Sequence, residues 1–283
     1  MEVYAYYSRT DKGLKKQSLK DHIEESLKAF ENEIKDTKVW RCYVNSCEHD
    51  ERIVEKWMKF TITFHDIGKM FYQGNFRHYN GKTYLNFTGH EFFSTFLADK
   101  FLNIWLKNDV ENRIEEFRDF RWIVCASILY HHHAMGLKSR ERLNVVKVCK
   151  ENEFDEIVKA VYRILLKNLK EFEDSVIYSF VNELRSLNLT KVNGNLILNQ
   201  KTISGIFRYV DELNIKIWEK FVGVDENKRK SQNRFRRQMI LSTNLLILAD
   251  YKGSESRSEK PTKFGEILNE FIELYKIKNQ NFK

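Results

Sequence analysis

The chain has 283 residues, of which 42% are apolar and 31% charged, with a formal charge of +8 from 48 Lys and Arg against 40 Asp and Glu. That length suits one elaborated domain with a sizeable core, and the composition excludes a disordered chain. A single proline and eleven glycines leave few helix breakers, so a mostly helical protein is expected.

The longest apolar runs, 123–130 and 239–249, fall short of the roughly 18 residues of a membrane span. The first residues, Met1-Glu2-Val3-Tyr4, lack the layout of a signal peptide, and four cysteines form no CxxC pair. A reducing cytoplasm, no membrane partner and an anionic ligand, nucleic acid first, are the expectations.

Ser18-Leu19-Lys20-Asp21 has the pattern of a helix start, with a hydroxyl cap and an acid three residues on. The spacing predicts helices over about 19–34, 50–65, 88–106 and 114–133, the second ending ahead of Gly68. Between them, 74–87 is aromatic and contains Asn80-Gly81, the mark of a loop or a short hairpin. Two helices follow within about 154–187, then a small hairpin over 189–198 about Asn193-Gly194. Helices resume over 203–221 and 232–249, and a polar stretch, 252–262, leads to a last amphipathic helix over 264–277. The expected fold is an all-α bundle with a possible small β-hairpin, one domain over 1–283. The metal-binding core would span about 18–134 and 226–250, with about 137–224 as an insertion or packing layer and 263–283 as the C-terminal helix.

Six of the eight histidines fall in a suggestive order: His22, His65-Asp66, His90, then His131-His132-His133, with Asp250 closing the series. Imidazole and carboxylate together suit divalent first-row metals, and a carboxylate can bridge two of them. His65 and Asp66 are neighbours at a predicted helix end and can reach one cavity. Lys69 lies one turn on, where it can neutralise a phosphate oxygen. Each piece has a plainer reading. His49 and His78 are taken as structural or surface residues, and His22 alone is equally a residue of an amphipathic first turn. Asp250 follows an apolar run that suggests a partly buried carboxylate, with a surface acid at a helix end as its plainer reading, and the triple histidine has the plainer reading of a solvated helix end. The pentad His65-Asp66-Ile67-Gly68-Lys69 is different, because HDIGK rarely arises by chance. Three polar rings after the apolar run Ile128-Leu129-Tyr130 would also need partners.

At these positions the chain resembles the HD superfamily of metal-dependent phosphohydrolases, whose signature is H…HD…D. Gly89-His90-Glu91, Tyr130-His131-His132 and Ala249-Asp250 follow HDIGK in order, which narrows the resemblance to the HD nuclease of type I CRISPR interference systems. The resemblance covers roughly 18–134 and 245–250. It implies a two-metal site with His22, His65, Asp66 and Asp250 on one ion. His90, His131 and His132 would hold the other, with Asp66 bridging and His133 as an alternative in the histidine run. Asp66 and Lys69 would carry catalysis, Lys69 at the scissile phosphate. Nitrogen-rich ligation favours Mn, Co, Ni or Fe over Mg. The implied substrate is single-stranded DNA, and the implied partners are a separate helicase subunit and a crRNA-guided surveillance complex.

The segment NKRKSQNRFRR sets Lys228, Arg229, Lys230, Arg234, Arg236 and Arg237 around Phe235, ahead of Asp250 on a predicted helix. Cations interleaved with an aromatic fit a single strand, and equally fit a solvated face or a docking surface. Tyr72, Phe76, Arg77 and Tyr79 form a second candidate contact strip. Other chemistries fail on spacing: no P-loop precedes Gly81-Lys82-Thr83, His90-Glu91 lacks the second histidine of HExxH, and no PCxxC exists for a zinc deaminase. The remaining rivals are an HD phosphohydrolase of small nucleotides, of cyclic-nucleotide or deoxynucleotide type, the HD nuclease of type III CRISPR complexes, and a non-catalytic adaptor.

Overall fold

Short polar side chains set the helix starts. The Ser18 hydroxyl accepts from the Asp21 backbone N–H at 3.0 Å and starts α1 (Leu19–Ala29), which runs on into a wider π-helical turn over Phe30–Ile34. Thr37 caps α2 (Lys38–Val44), and Asp50 caps α3 (Glu51–Phe64). The computed structural model describes residues 1–108, 110–132, 145–222, 229–257 and 263–276. His133 and Lys228 lie outside the described residues.

Further along run α4 (His90–Asn108), α5 (Val110–Tyr130), α6 (Phe154–Asn168), α7 (Asp174–Arg185), α8 (Gln200–Val222), α9 (Arg229–Gly253) and α10 (Lys263–Tyr275). A mostly helical bundle with small β elements is thus the observed fold. No helix among the described residues is long and apolar enough to cross a membrane.

Both predicted hairpins form, each on an Asn-Gly turn. Asn80 and Asn193 have φ near +48°, and Gly81 and Gly194 have φ of +71° and +73°, the left-handed pair that a tight hairpin turn requires. The first joins β3 (Phe76–Tyr79) to β4 (Lys82–Leu85). It adds to an N-terminal hairpin, β1 (Tyr4–Thr10) and β2 (Gly13–Ser18), in an antiparallel sheet of order β2-β1-β4-β3, with Ser8 opposite Tyr84. The second joins β6 (Thr190–Val192) to β7 (Asn195–Leu198), and β5 (Val146–Lys150) completes a sheet of order β5-β7-β6.

The core is aromatic. Trp57, Phe60 and Phe64 of α3 pack against Phe101, Phe172 and Phe180, with ring centroids between 5.3 and 5.6 Å apart. Each such buried side chain contributes roughly 1.5–3 kcal/mol of transfer free energy. Beside it, the buried carboxylate of Asp99 on α4 accepts from Arg121 Nε at 2.6 Å, Arg121 Nη2 at 2.9 Å, Asn103 Nδ2 at 2.9 Å and the Tyr209 hydroxyl. That network ties α4, α5 and α8 together.

Two glycines bring backbones unusually close. A Cβ on Gly68 would lie 2.3 Å from the His90 carbonyl oxygen and 2.7 Å from the Ser94 nitrogen. A Cβ on Gly253 would lie 2.0 Å from the Ser26 hydroxyl and 2.9 Å from the His22 carbonyl oxygen. The first close approach seats the turn after α3 on the start of α4; the second seats the end of α9 on α1.

Candidate metal centre

Five chain segments end at one buried point. His22 projects from α1, and His65 caps α3 with Asp66 directly after it. His90 opens α4, His131 and His132 follow the end of α5, and Asp250 sits near the end of α9. His22, His65 and Asp66 are fully buried, while His90, His131 and Asp250 are nearly so.

These seven residues form two groups that share Asp66. His22, His65, Asp66 and Asp250 offer ligand atoms within 4.8 Å of one another, and so do Asp66, His90, His131 and His132. In the first group His22 Nε2 lies 3.1 Å from Asp66 Oδ2 and 3.1 Å from Asp250 Oδ1, with His65 Nε2 3.3 Å away. The other carboxylate oxygen of Asp66, Oδ1, faces His90 Nε2 at 2.9 Å. One carboxylate therefore addresses both groups, one oxygen to each.

Hydrogen bonding on the far side of the rings shows what the near side is for. His65 Nδ1 donates to the Ile62 carbonyl at 2.6 Å, His90 Nδ1 to Phe87 at 2.8 Å, and His131 Nδ1 to Ile128 at 2.6 Å. With the proton held on Nδ1, each Nε2 presents a lone pair, as in histidines that bind metals. Asp66 Oδ1, His90 Nε2 and His131 Nε2 are buried and make no hydrogen bond. His90 Nε2 and Asp66 Oδ1 are thus two acceptors facing each other across 2.9 Å, a contact that a cation between them resolves. The residues present fit a divalent metal.

The electrostatics agree. Burial, reinforced by the neighbouring His132 and His65, holds His131 well below the usual histidine range, and burial with His90 pushes His132 down to about 3. Both are neutral ligands at neutral pH. Burial opposes ionisation of Asp66, but the neighbouring Lys69 and His65 outweigh it and hold the carboxyl well below its ordinary range. Asp250 is held down likewise, its own burial overcome by His22 and His65. For His65 the burial penalty is overcome by Asp66 and Asp250, which raise it.

Lys69 Nζ lies 2.5 Å from Asp66 Oδ2 and shares a cleft of about 330 Å³ with His90 and His132. Arg257, in the short turn beyond α9, lines the same cleft, its Nη2 3.1 Å from His22 Nδ1. It stood in the polar stretch that reads as a connector, and no local pattern marks it.

The basic segment is elsewhere. Arg229, Lys230, Arg234, Arg236 and Arg237 occupy the start of α9, and Arg237 and Asp250 are roughly 20 Å apart along the helix axis at ~1.5 Å per residue. These cations share the helix with Asp250 but sit at its other end. Arg234 pairs with Glu48, and Arg236 donates to the Phe221 carbonyl. The second strip also divides, because Tyr72 is fully buried with its hydroxyl on the Thr88 carbonyl, whereas Tyr79 is exposed on β3. His49 and His78 pair with Asp119 and Thr83 away from the centre.

No protein-family model matches the chain, and no solved structure does. Among curated proteins it is similar to the CRISPR-associated endonuclease Cas3-HD of Methanocaldococcus jannaschii, 26% identical over 290 residues that cover 98% of each chain. The likeness therefore runs the full length, beyond the motif segments, and the motif residues converge on one centre. That similarity supports a hydrolytic HD-family nuclease. As the two groups stand, the donor set suits a divalent metal: five imidazoles and two carboxylates, closed to most of the solvent.

Proposed function

We propose that this HD nuclease hydrolyses phosphodiester bonds of single-stranded DNA during CRISPR interference, using two divalent ions bound by the two groups that share Asp66. The observation that carries the reading is the pair of facing acceptors, Asp66 Oδ1 and His90 Nε2, in a wall of imidazoles whose other nitrogens are already committed. His22, His65, Asp66 and Asp250 would hold one ion, and Asp66, His90, His131 and His132 the other. Nitrogen-rich donors favour Mn, Co, Ni or Fe. Bound there, such ions supply Lewis acidity that activates water for attack at phosphorus.

The chain's own residues do the rest. Asp66 stays ionised and spans both groups, and His131 and His132 stay neutral, so their lone pairs are available near pH 7. Lys69, at the cleft floor, balances the carboxylate of Asp66 and stands where a phosphate oxygen would enter. Burial of the centre keeps competing water out and strengthens each of these interactions. The cations at the start of α9 would follow the strand farther from the chemistry. A helicase subunit and a crRNA-guided surveillance complex are the partners such a reading requires, in the cytoplasm.

The test is cleavage of end-labelled single- and double-stranded DNA and RNA by metal-stripped protein, with Mn, Co, Ni or Mg added back singly. Cleavage of single-stranded DNA with a transition metal, abolished in Asp66→Ala, is expected. Cutting that survives Asp66→Ala sinks the assignment, and hydrolysis of mononucleotides alone promotes the small-nucleotide phosphohydrolase in its place.

A further inference from the structure

The cleft at the centre is walled partly by residues that belong to neither metal group. Tyr6 of β1, Asn86 and Phe87 before α4, and Arg257 beyond α9 surround the approach to Lys69 and His132. Its volume of about 330 Å³ is at the small end of ligand sites, room for one nucleotide and too little for a base pair.

The two cations of this cleft are differently placed. The charge of Lys69 is already engaged by the Asp66 carboxylate at 2.5 Å. Arg257 has no carboxylate partner among the described residues. Its Nε donates to Gln17 Oε1 at 2.5 Å, its Nη2 lies 3.1 Å from His22 Nδ1, and its guanidinium lies over the Tyr6 ring, 5.5 Å from the centroid. Those contacts fix the plane of the fork and leave most of its five N–H groups to spare. A fixed guanidinium with donors to spare and no carboxylate partner among the described residues, on the wall of a cleft that ends at metal ligands, is built for an anion. Two parallel N–H groups match two oxygens of one phosphate.

We propose that this cleft is a subsite for one unstacked nucleotide of the substrate strand, with Arg257 as its phosphate ligand and the Tyr6 ring beside its base. The proposal rests on the nuclease reading above and adds to it a reason for single-strand preference. A nucleotide still paired and stacked cannot enter, whereas one in a single strand gives up little to do so. The N-terminal hairpin is then part of the substrate site, because it supplies both Tyr6 and, through Gln17, the anchor of Arg257.

The experiment is fluorescence anisotropy of a short fluorescein-labelled oligothymidylate on metal-free full-length protein in EDTA, paired with KM and kcat in Mn. Arg257→Gln is expected to weaken binding about tenfold and to raise KM more than it lowers kcat. Arg257→Lys, which keeps the charge and loses the fork, recovers only part of that. Tyr6→Ala weakens binding by roughly tenfold and Tyr6→Phe does not. Bound Mn and melting temperature stay at the wild-type level in Arg257→Lys. Binding by Arg257→Gln within about twofold of wild type overturns the proposal, as does loss of bound Mn in both Arg257 variants, which would assign the side chain to holding His22. If the wild type itself neither binds nor cuts the strand, the nuclease reading falls with it. If the wild type cuts while both Arg257 variants bind unchanged, only the subsite falls.

Discussion

His65, His90 and His131 each fasten Nδ1 to the carbonyl three residues earlier in their own chain segment, so local backbone rather than distant packing aims the ring. A ligand aimed in this way should be replaceable only at the cost of its ion. His131→Gln and His132→Gln should each lower bound Mn by about one ion per chain, measured by elemental analysis, while leaving the fold intact. Unchanged content in both, with loss in His133→Gln, would move the ligand along the run. Burial has a second consequence for the metal-free protein. The unfolded chain protonates His131 and His132 below about 6.5, and the folded one does not, His132 being held down to about 3. The unfolded state then binds more protons, so stability must fall as pH drops through 6.5, by about 1.4 kcal/mol per pH unit for each such histidine. His65, raised by Asp66 and Asp250, offsets part of this. Thermal melts in EDTA should show Tm falling from neutral pH toward pH ~5, with a shallower slope in His132→Gln; parallel slopes would refute the account. At this scale the centre was largely legible, because HDIGK is contiguous and the other ligands recur in a known order. Arg257 was not. Its role depends on Gln17 and His22, hundreds of positions away, and arginine in a polar stretch carries no signal of its own.

Elements were legible in proportion to their regularity. Ser18, the apolar spacing of α1, α3, α6 and α7, and the two Asn-Gly turns all announce themselves. The N-terminal hairpin does not, since β2 reads GLKKQS with four exposed positions, and its strand character comes from pairing with β1. Helix α2 is only seven residues, too few for a period to show, and β5 is a five-residue strand whose partner lies in a later hairpin. The close approaches at Gly68 and Gly253 are likewise invisible in sequence, and they give a paired prediction. Gly68→Ala and Gly253→Ala each force a methyl against backbone or hydroxyl atoms and should lower stability by roughly 1–3 kcal/mol in urea denaturation, with weaker Mn binding. Gly205 in α8 has open space around it, so Gly205→Ala should gain about 0.5–1 kcal/mol. Equal effects at the three positions would mean that the contacts do not matter.

Across the whole molecule, two systems of buried charge are kept apart. The Asp99–Arg121–Tyr209 network holds α4, α5 and α8 and touches no metal ligand. Removing its acid strands a largely buried guanidinium, so Asp99→Ala should cost about 3–5 kcal/mol of stability while bound Mn per folded chain stays constant. The basic start of α9 is separated from the cleft by much of that helix. Charge reversal at Arg229, Lys230 and Arg237 should therefore weaken long single strands and flatten their salt dependence, yet leave turnover of a dinucleotide unchanged; a matching loss on the dinucleotide would place those cations at the chemistry after all. The wide separation of the centre's parts also bears on when it exists. Arg257 contacts His22 across 235 positions, and Asp250 closes the ligand set from the same late stretch of chain. A nascent chain has exposed four of its five histidine-bearing or acid-bearing segments before α9 has been synthesised, and none of them can close the first group. The first ligand group therefore cannot assemble before α9 has been made, and chains aborted upstream of α9 lack both Asp250 and Arg257.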